Sequence, residues 1–330
     1  MTPLTTLLGI RHPLLLAPMA GVSGGRLAAA TSRAGGLGFV GAGYGDRDWL
    51  ASQLSATEGQ RIGVGFITWS LRRQPELLDM ALAFAPTAIL LSFGDMGGFA
   101  DQVRRAGVTL IAQVQMVKQA REAAAAGADV IVAQGGEAGG HGGLRGTMAL
   151  VPAVVDAVAP LPVVAAGGIA DGRGIAAALM LGAQGVLCGT AFYACDESLA
   201  HPEAKRRLVA ASGDNTFKSP LFDQLRGLDW PEGPWGLRAL RNALSEQLGA
   251  RWAAEPQAQH AELATQQTRL AHAREAGDFD TAPVIAGEAA DLVHATSPAS
   301  AVVQALMQGC DTALGRAAAI TNRFQTPQRN

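Results

Sequence analysis

The sequence predicts an α/β fold: a (β/α)8 barrel with a small, mainly helical cap inserted late in the chain. Three observations lead there. Continuously apolar runs of four to six residues recur along the chain, Ala-rich helical stretches separate them, and glycines stand where helix gives way to the next run. Continuous apolar strands alternating with helices are the pattern of a parallel sheet buried on both faces. Eight such units within about 190 residues point to a closed barrel, and an open doubly wound sheet is the competing architecture. At 330 residues there is room for one large domain and a smaller one.

Taken in order, the expected strands are Leu14–Ala17, Gly38–Ala42, Ile62–Phe66, Ala88–Ser92, Thr109–Gln113, Val130–Gln134, Val163–Ala166 and Gly185–Cys188. Between them the helical stretches are Gly24–Ala34, Pro75–Phe84, Phe99–Ala106, Val117–Ala126, Met148–Val158 and Gly174–Leu181. Gly35, Gly107, Gly127 and Gly182 follow four of these helices, where a left-handed residue ends the helix. After Thr190 the rhythm breaks. The segment Glu197–Asp280 is richer in Arg, Gln, Glu and Trp (Trp230, Trp235, Trp252) and carries helical stretches at Leu237–Leu248 and Gln257–Ala276. A turn-like WPEGPW stretch, Trp230–Trp235, precedes the first of them. The expected division is therefore barrel at 1–196, helical cap at 197–280, and a return segment with the closing barrel helix (Pro298–Ala313) at 281–330. A peripheral extension that never approaches the site is the other reading of the same helices.

Composition narrows the function classes. A net charge of −2 offers no global attraction for nucleic acid or an anionic membrane. Three cysteines, Cys188, Cys195 and Cys310, are an odd number in a long chain and argue against a disulfide framework. No Cys/His set shows zinc spacing. The N-terminal MTPLTTLLGIRHPLLLAP lacks a secretion signal's basic start and long apolar core, and no apolar span is long enough for a bilayer, so a cytoplasmic location is the default expectation.

In such a barrel the chemistry belongs at the C-terminal ends of the strands. The first strand runs into Ala17, Pro18 and Met19, the third passes Gly65, and the fifth and sixth end in Gln113 and Gln134. The sixth opens the loop QGGEAGGHGG, Gln134–Gly143, in which Gly139, Gly140 and their neighbours leave little bulk around His141. A planar ligand could lie against such backbone with the imidazole presented to it. The seventh and eighth strands run into Gly167-Gly168 and Cys188-Gly189-Thr190. Two glycine turns on consecutive final strands, with a hydroxyl at Thr190, suit phosphate binding by backbone N–H groups. Tight strand–helix packing is the alternative explanation of those glycines.

Three segments carry a family resemblance: Leu14–Tyr44, Ala133–Gly143 and Ala165–Phe192, in that order. Together they resemble nitronate monooxygenase, formerly 2-nitropropane dioxygenase, across about two-thirds of the chain. The AGGH loop is the most specific piece. The resemblance implies a TIM barrel holding non-covalent FMN, with the phosphate at Gly167, Gly168, Gly189 and Thr190 and with Cys188 beside them. It implies that His141 is catalytic and that Gln134 and Gly139 lie near the flavin. One departure stands out: the family's GVN pattern ends the third strand with an Asn, whereas this chain reads Gly63-Val64-Gly65-Phe66.

The chemistry follows from the residues. Pro18 and Met19 can supply an apolar platform for isoalloxazine, and a neutral imidazole near pH 7 can accept a proton from a substrate on the other face. A nitro group acidifies the adjacent C–H, so one His suffices to form a nitronate, which the flavin and O₂ carry on to carbonyl compound and nitrite. The expected function is oxidative denitrification of nitroalkanes or nitronates by a soluble enzyme acting on small molecules and O₂, with assembly into a homo-oligomer left open. The alternative is an FMN-dependent NAD(P)H reductase of the enoyl-acyl-carrier-protein or quinone type on the same barrel. A non-catalytic phosphate-ligand barrel is the third reading, and it leaves His141 idle.

Overall fold

The computed structural model describes residues 2–254 and 256–325. Eight parallel strands form one sheet: β1 (Leu14–Leu16), β2 (Phe39–Gly41), β3 (Gly63–Ile67), β4 (Ala88–Ser92), β5 (Thr109–Val114), β6 (Val130–Gln134), β8 (Val163–Ala166) and β9 (Gly185–Cys188). β7 (Gly140–His141) belongs elsewhere, as described below. The sheet runs β1-β9-β8-β6-β5-β4-β3-β2, and a bridge between Leu15 and Leu37 brings its two edges together. This is the expected barrel, and the competing open sheet is excluded by that edge-to-edge contact.

Side chains alternate along each strand between the barrel interior and the helix layer. Leu15, Leu90, Ile111, Val130, Val132, Val164 and Leu187 form the interior, and the helix Pro3–Leu8 adds Leu4 and Leu8 to the same cluster. A Cβ on Gly185 would stand 2.5 Å from Leu4, so that strand is glycine where the helix closes in. The opposite set, including Leu14, Leu16, Val40, Ile89, Ile131 and Val186, packs against the surrounding helices. The four glycines expected to end helices all have positive φ, between 68° and 104°, each following an Ala or Leu cap.

Two elements depart from expectation. The helix Arg47–Ser55, between β2 and β3, has a hydrophobic stripe reduced to Leu50 and Leu54, too sparse to read as periodic. The stretch Leu237–Leu248, expected as one helix, divides into β11 (Leu237–Leu240) and the helix Ala243–Ala254. β11 alternates, burying Leu237 and Ala239 on one side, and it pairs antiparallel with β10 (Thr216–Ser219) and with β7. The expected second helix is present as Pro256–Glu275, and the closing helix extends further than expected, as Ala299–Gln325. The Trp252 side chain lies outside the described residues. No helix among the described residues is long and apolar enough to cross a membrane.

Candidate active site

A cavity of about 710 Å³ opens at the C-terminal ends of the barrel strands. Its floor includes Ala17, Pro18, Met19, Gly65, Gln113 and Gln134. One wall carries Gly139, Gly140 and His141, another Gly167, Gly168, Gly189 and Thr190. The roof comes from late in the chain, with Leu225, Arg226, Leu228, Leu270, Arg274 and Ile285. The segment after residue 197 therefore reaches the site. Arg226 and Arg274 are charged lining residues, and no carboxylate is among the described ones. Such a cavity favours anions.

Of the residues singled out from the sequence, Cys188 alone does not line this space. Strand alternation turns it outward into the layer with Leu14 and Leu16, and Leu187 faces the cavity instead. Burial pushes the Cys188 thiol up to about 12, so it stays protonated and apolar in behaviour. Gln134 lines the cavity, but its amide is spent within the protein. Its Oε1 accepts from Gln115 Nε2 at 2.8 Å and its Nε2 donates to the His141 carbonyl at 3.0 Å. Gln113 is the converse case: it is 9% exposed and lines the cavity, and no hydrogen bond from its amide to a described residue is present. A buried polar group of this kind calls for a partner from outside the protein.

The glycines have separate reasons. At Gly65 a Cβ would stand 2.3 Å from Pro18 Cβ and 2.4 Å from Pro18 Cγ. The Pro18 ring lies directly on the β3 backbone, which is why β3 carries no side chain there. At Gly139 a Cβ would meet the backbone of Ala286 and Gly287 at 2.5–2.6 Å, so the return segment packs against the loop. Gly189 differs: the nearest atom to its Cβ position is Met19 Sδ at 3.4 Å. Protein packing thus admits a Cβ at Gly189, a residue that lines the cavity. Thr190 Oγ1 accepts from the Gly287 N–H at 3.0 Å, tying the return segment to this turn.

His141 is held from several directions. β7 pairs with β11, setting His141 opposite Leu237. Lys218 on β10 donates to the Gly143 carbonyl, and Arg238 on β11 donates to the Gly136 carbonyl at 3.1 Å. Glu137, the nearest carboxylate in sequence, is turned away from the imidazole. It accepts from the Thr147 backbone N–H and hydroxyl at 2.9 Å, at the start of the helix Thr147–Val158. The carboxylate that reaches His141 is Asp223, on the short helix Leu221–Leu225, with 2.7 Å between Nε2 and Oδ2. Trp230 stacks on the imidazole with 3.5 Å between centroids and 16° between planes, and Phe93 meets it edge-on.

Burial lowers the His141 pKa below its ordinary value, against the opposing hydrogen bond and charge of Asp223. Arg226 and Lys218 push in the same direction as burial. The shift favours the neutral imidazole, the form able to accept a proton. Burial also lowers Lys218 to about 8 and raises Tyr44, another lining residue. Asp223 and Gln115 lie in stretches with no motif of their own. Trp230 and Tyr44 stand at the ends of stretches the sequence singles out, Trp230–Trp235 and Leu14–Tyr44, but nothing in the sequence directs either to this site.

Comparison with known proteins agrees with the barrel fold. The nitronate monooxygenase family profile matches residues 1–60 and 77–309. A Mycobacterium tuberculosis protein named (3aS,4S,5R,7aS)-5-hydroxy-7a-methyl-1-oxo-octahydro-1H-indene-4-carboxyl-CoA dehydrogenase is 38% identical over 67% of this chain. That match spans 64% of the relative's length, just under two-thirds. FabK from Thermotoga maritima superposes with a TM-score of 0.85 at 29% identity, covering 97% of this chain and 99% of the other. Nitroalkane oxidase from Streptomyces ansochromogenes gives a TM-score of 0.80 at 30% identity over 95% and 99% of the two chains. The chain belongs to the nitronate monooxygenase family.

Proposed function

We propose that this protein is an FMN-dependent nitronate monooxygenase, converting nitroalkanes or their nitronates to carbonyl compound and nitrite with O₂. The observation that carries the reading is a buried imidazole, His141, hydrogen-bonded to Asp223 at 2.7 Å on the wall of a cavity that favours anions. Two features of the cavity fit the cofactor. The unpartnered Gln113 amide offers a polar contact at the barrel centre, and Gly189 leaves space that a side chain would otherwise fill. Ala17, Pro18 and Met19 would lie against the ring system, and Gly167, Gly168, Gly189 and Thr190 would hold the phosphate. Bound there, FMN would supply the redox capacity that no side chain has.

The protein's own contribution is proton transfer, orientation and exclusion of water. His141 takes the proton from the carbon beside the nitro group, whose acidity makes a single well-placed base sufficient. Leu225, Leu228, Leu237 and Ile285 keep the alkyl part dry, and Arg226 offsets the negative charge that the nitro group gains. Residues 197–280 act as the cap that closes this space.

The test is production of nitrite and carbonyl compound from propyl-2-nitronate in air by the yellow purified protein. Without oxygen the nitronate should bleach the flavin absorbance, while excess NADH or NADPH should leave it. Gly65, in place of the Asn that the family resemblance leads one to expect, leaves a second reading, a reductase fed by NADH or NADPH. Rapid bleaching by NADH with no response to nitronate would establish that reading instead.

A further inference from the structure

We propose that Asp223 is the positioning residue that makes His141 a base: its carboxylate accepts the Nε2–H hydrogen bond, leaving the Nδ1 lone pair for the substrate's proton. The proposal rests on the nitronate reading for its substrate, and on the cap geometry for its residues.

The imidazole has two edges and two faces. One edge is taken by Asp223 at 2.7 Å, and one face by Trp230 at 3.5 Å. His141 lines the cavity, whereas neither Asp223 nor Trp230 does. With Nε2 held by Asp223, one face covered by Trp230 and Phe93 edge-on to the ring, we assign the Nδ1 edge to the cavity side. No described residue hydrogen-bonds Nδ1. A neutral imidazole carries one N–H, and a carboxylate can only accept, so an Nε2–H tautomer follows from the contact. Gln134 and the β7–β11 ladder fix the His141 backbone, and turning Nε2 toward the substrate would break both the Asp223 hydrogen bond and the Trp230 stack.

Asp223 is 3% exposed, and its second oxygen, Oδ1, is buried without a hydrogen-bond partner. Among the charged groups around the pair, Arg226 is nearest to that oxygen, at 3.9 Å. Lys218 faces His141 from β10, and Tyr44 feels both Arg226 and Asp223. A buried carboxylate so sparsely paired gains most when its neighbour becomes a cation. In the step itself the C–H bond breaks heterolytically, its electron pair moves onto the nitro group, and the proton forms a bond to Nδ1. The resulting imidazolium faces Asp223 across the hydrogen bond already in place. The carboxylate thus stabilises the state after proton transfer more than the state before it, which is the condition for accelerating the step.

The experiment compares wild type with Asp223→Asn in the FMN-loaded protein. Asn preserves the shape but can turn its NH₂ toward Nε2, which moves the imidazole proton to Nδ1 and blocks the base. Turnover of neutral nitroethane should fall by roughly 10²–10⁴-fold, with a much smaller loss on pre-formed nitronate. The surviving activity should have its basic-form limb displaced to lower pH, because the anion that supports the imidazolium has gone. Independently of any substrate, ¹⁵N-histidine NMR reads the tautomer, with the His141 signals among the six histidines identified by their loss in His141→Gln. Wild type should show Nε2–H and Asp223→Asn should show Nδ1–H. An Nδ1–H tautomer in wild type overturns the proposal, as do equal losses on both substrate forms with an unmoved pH limb. Should wild type act on no nitro compound, the functional reading fails while the tautomer measurement still decides the role of Asp223. Should Asp223→Asn fail to bind FMN, the wild-type spectrum alone decides it.

Discussion

Gly65 stands where the family resemblance leads one to expect an Asn, and the structure turns that departure into a quantitative prediction. The Pro18 ring rests on the β3 backbone so closely that a Cβ at position 65 would lie 2.3 and 2.4 Å from two of its carbons. Ordinary carbon contacts are near 3.5–4.0 Å, so Gly65→Ala requires a shift of more than about 1 Å by a ring that is itself fixed in φ. Overpacking of a buried site of this kind costs about 1–3 kcal/mol. Pro18 also lines the cavity, so the shift should weaken cofactor binding as well. Pairing the substitution with Pro18→Ala removes the Cγ contact and relieves part of the strain. The two should therefore couple, by about 0.5–3 kcal/mol, with the double variant more stable than the sum of the singles implies. Urea unfolding of the apoprotein gives the stabilities, and quenching of FMN fluorescence gives the affinities. Additive effects, or a Gly65→Ala protein as stable as wild type, would refute the packing account. The position would then be glycine for a reason connected with the ligand alone.

Other substitutions separate cofactor, base and fold. Gly189→Val should fold normally, because protein atoms leave its Cβ at least 3.4 Å of clearance, yet raise the FMN dissociation constant at least tenfold by fluorescence titration. Unchanged affinity would remove the phosphate from this turn. His141→Asn should cut turnover of neutral nitroalkanes by roughly 10²–10⁴-fold while largely sparing pre-formed nitronates, measured as nitrite release. The lowered His141 pKa also bears on stability: between its folded value and about 6.5 the unfolded chain binds more protons. Stability should therefore fall as pH drops through that window, by up to about 1.4 kcal/mol per pH unit. His141→Asn should flatten this slope in urea titrations taken between pH 5 and 8, and an unaltered slope would locate the titration elsewhere.

The barrel was legible because its information is local. β4, β6, β8 and β9 have the expected limits, since a buried parallel strand is a continuous apolar run that a following glycine or polar residue ends. The floor and walls of the cavity were legible for the same reason: barrel topology places every strand terminus at one end, whatever the order of contacts. Cys188 shows where this reasoning lacks resolution. It stands beside a cavity-lining glycine in sequence, but the period of two along a strand sends it to the opposite side. Reading the alternation inward from Leu15 and Val164 would have assigned Leu187 to the interior.

The partners of His141 lay beyond such reasoning. Asp223 is 82 residues along the chain, in a five-residue helix whose burial pattern is that of ordinary packing. What joins it to the imidazole is the small sheet β10-β11-β7, and β11 was the stretch expected to be helical. Leu237–Leu240 is only four residues of alternation, and the strongly helical ALSEQL that follows it extends a helical pattern backward over it. Neither pairing partner advertises itself: β7 is two residues of a glycine loop, and β10 is a short polar strand. Their ladder forms because Gly140 and His141 leave one edge of backbone unpaired by the barrel, and β11 satisfies it. That same ladder sets His141 against Leu237 and brings the chain around so that Asp223 and Trp230 close on the ring. A proton acceptor of defined tautomer thus depends on a strand pairing, and no sequence motif for the acceptor could have contained it.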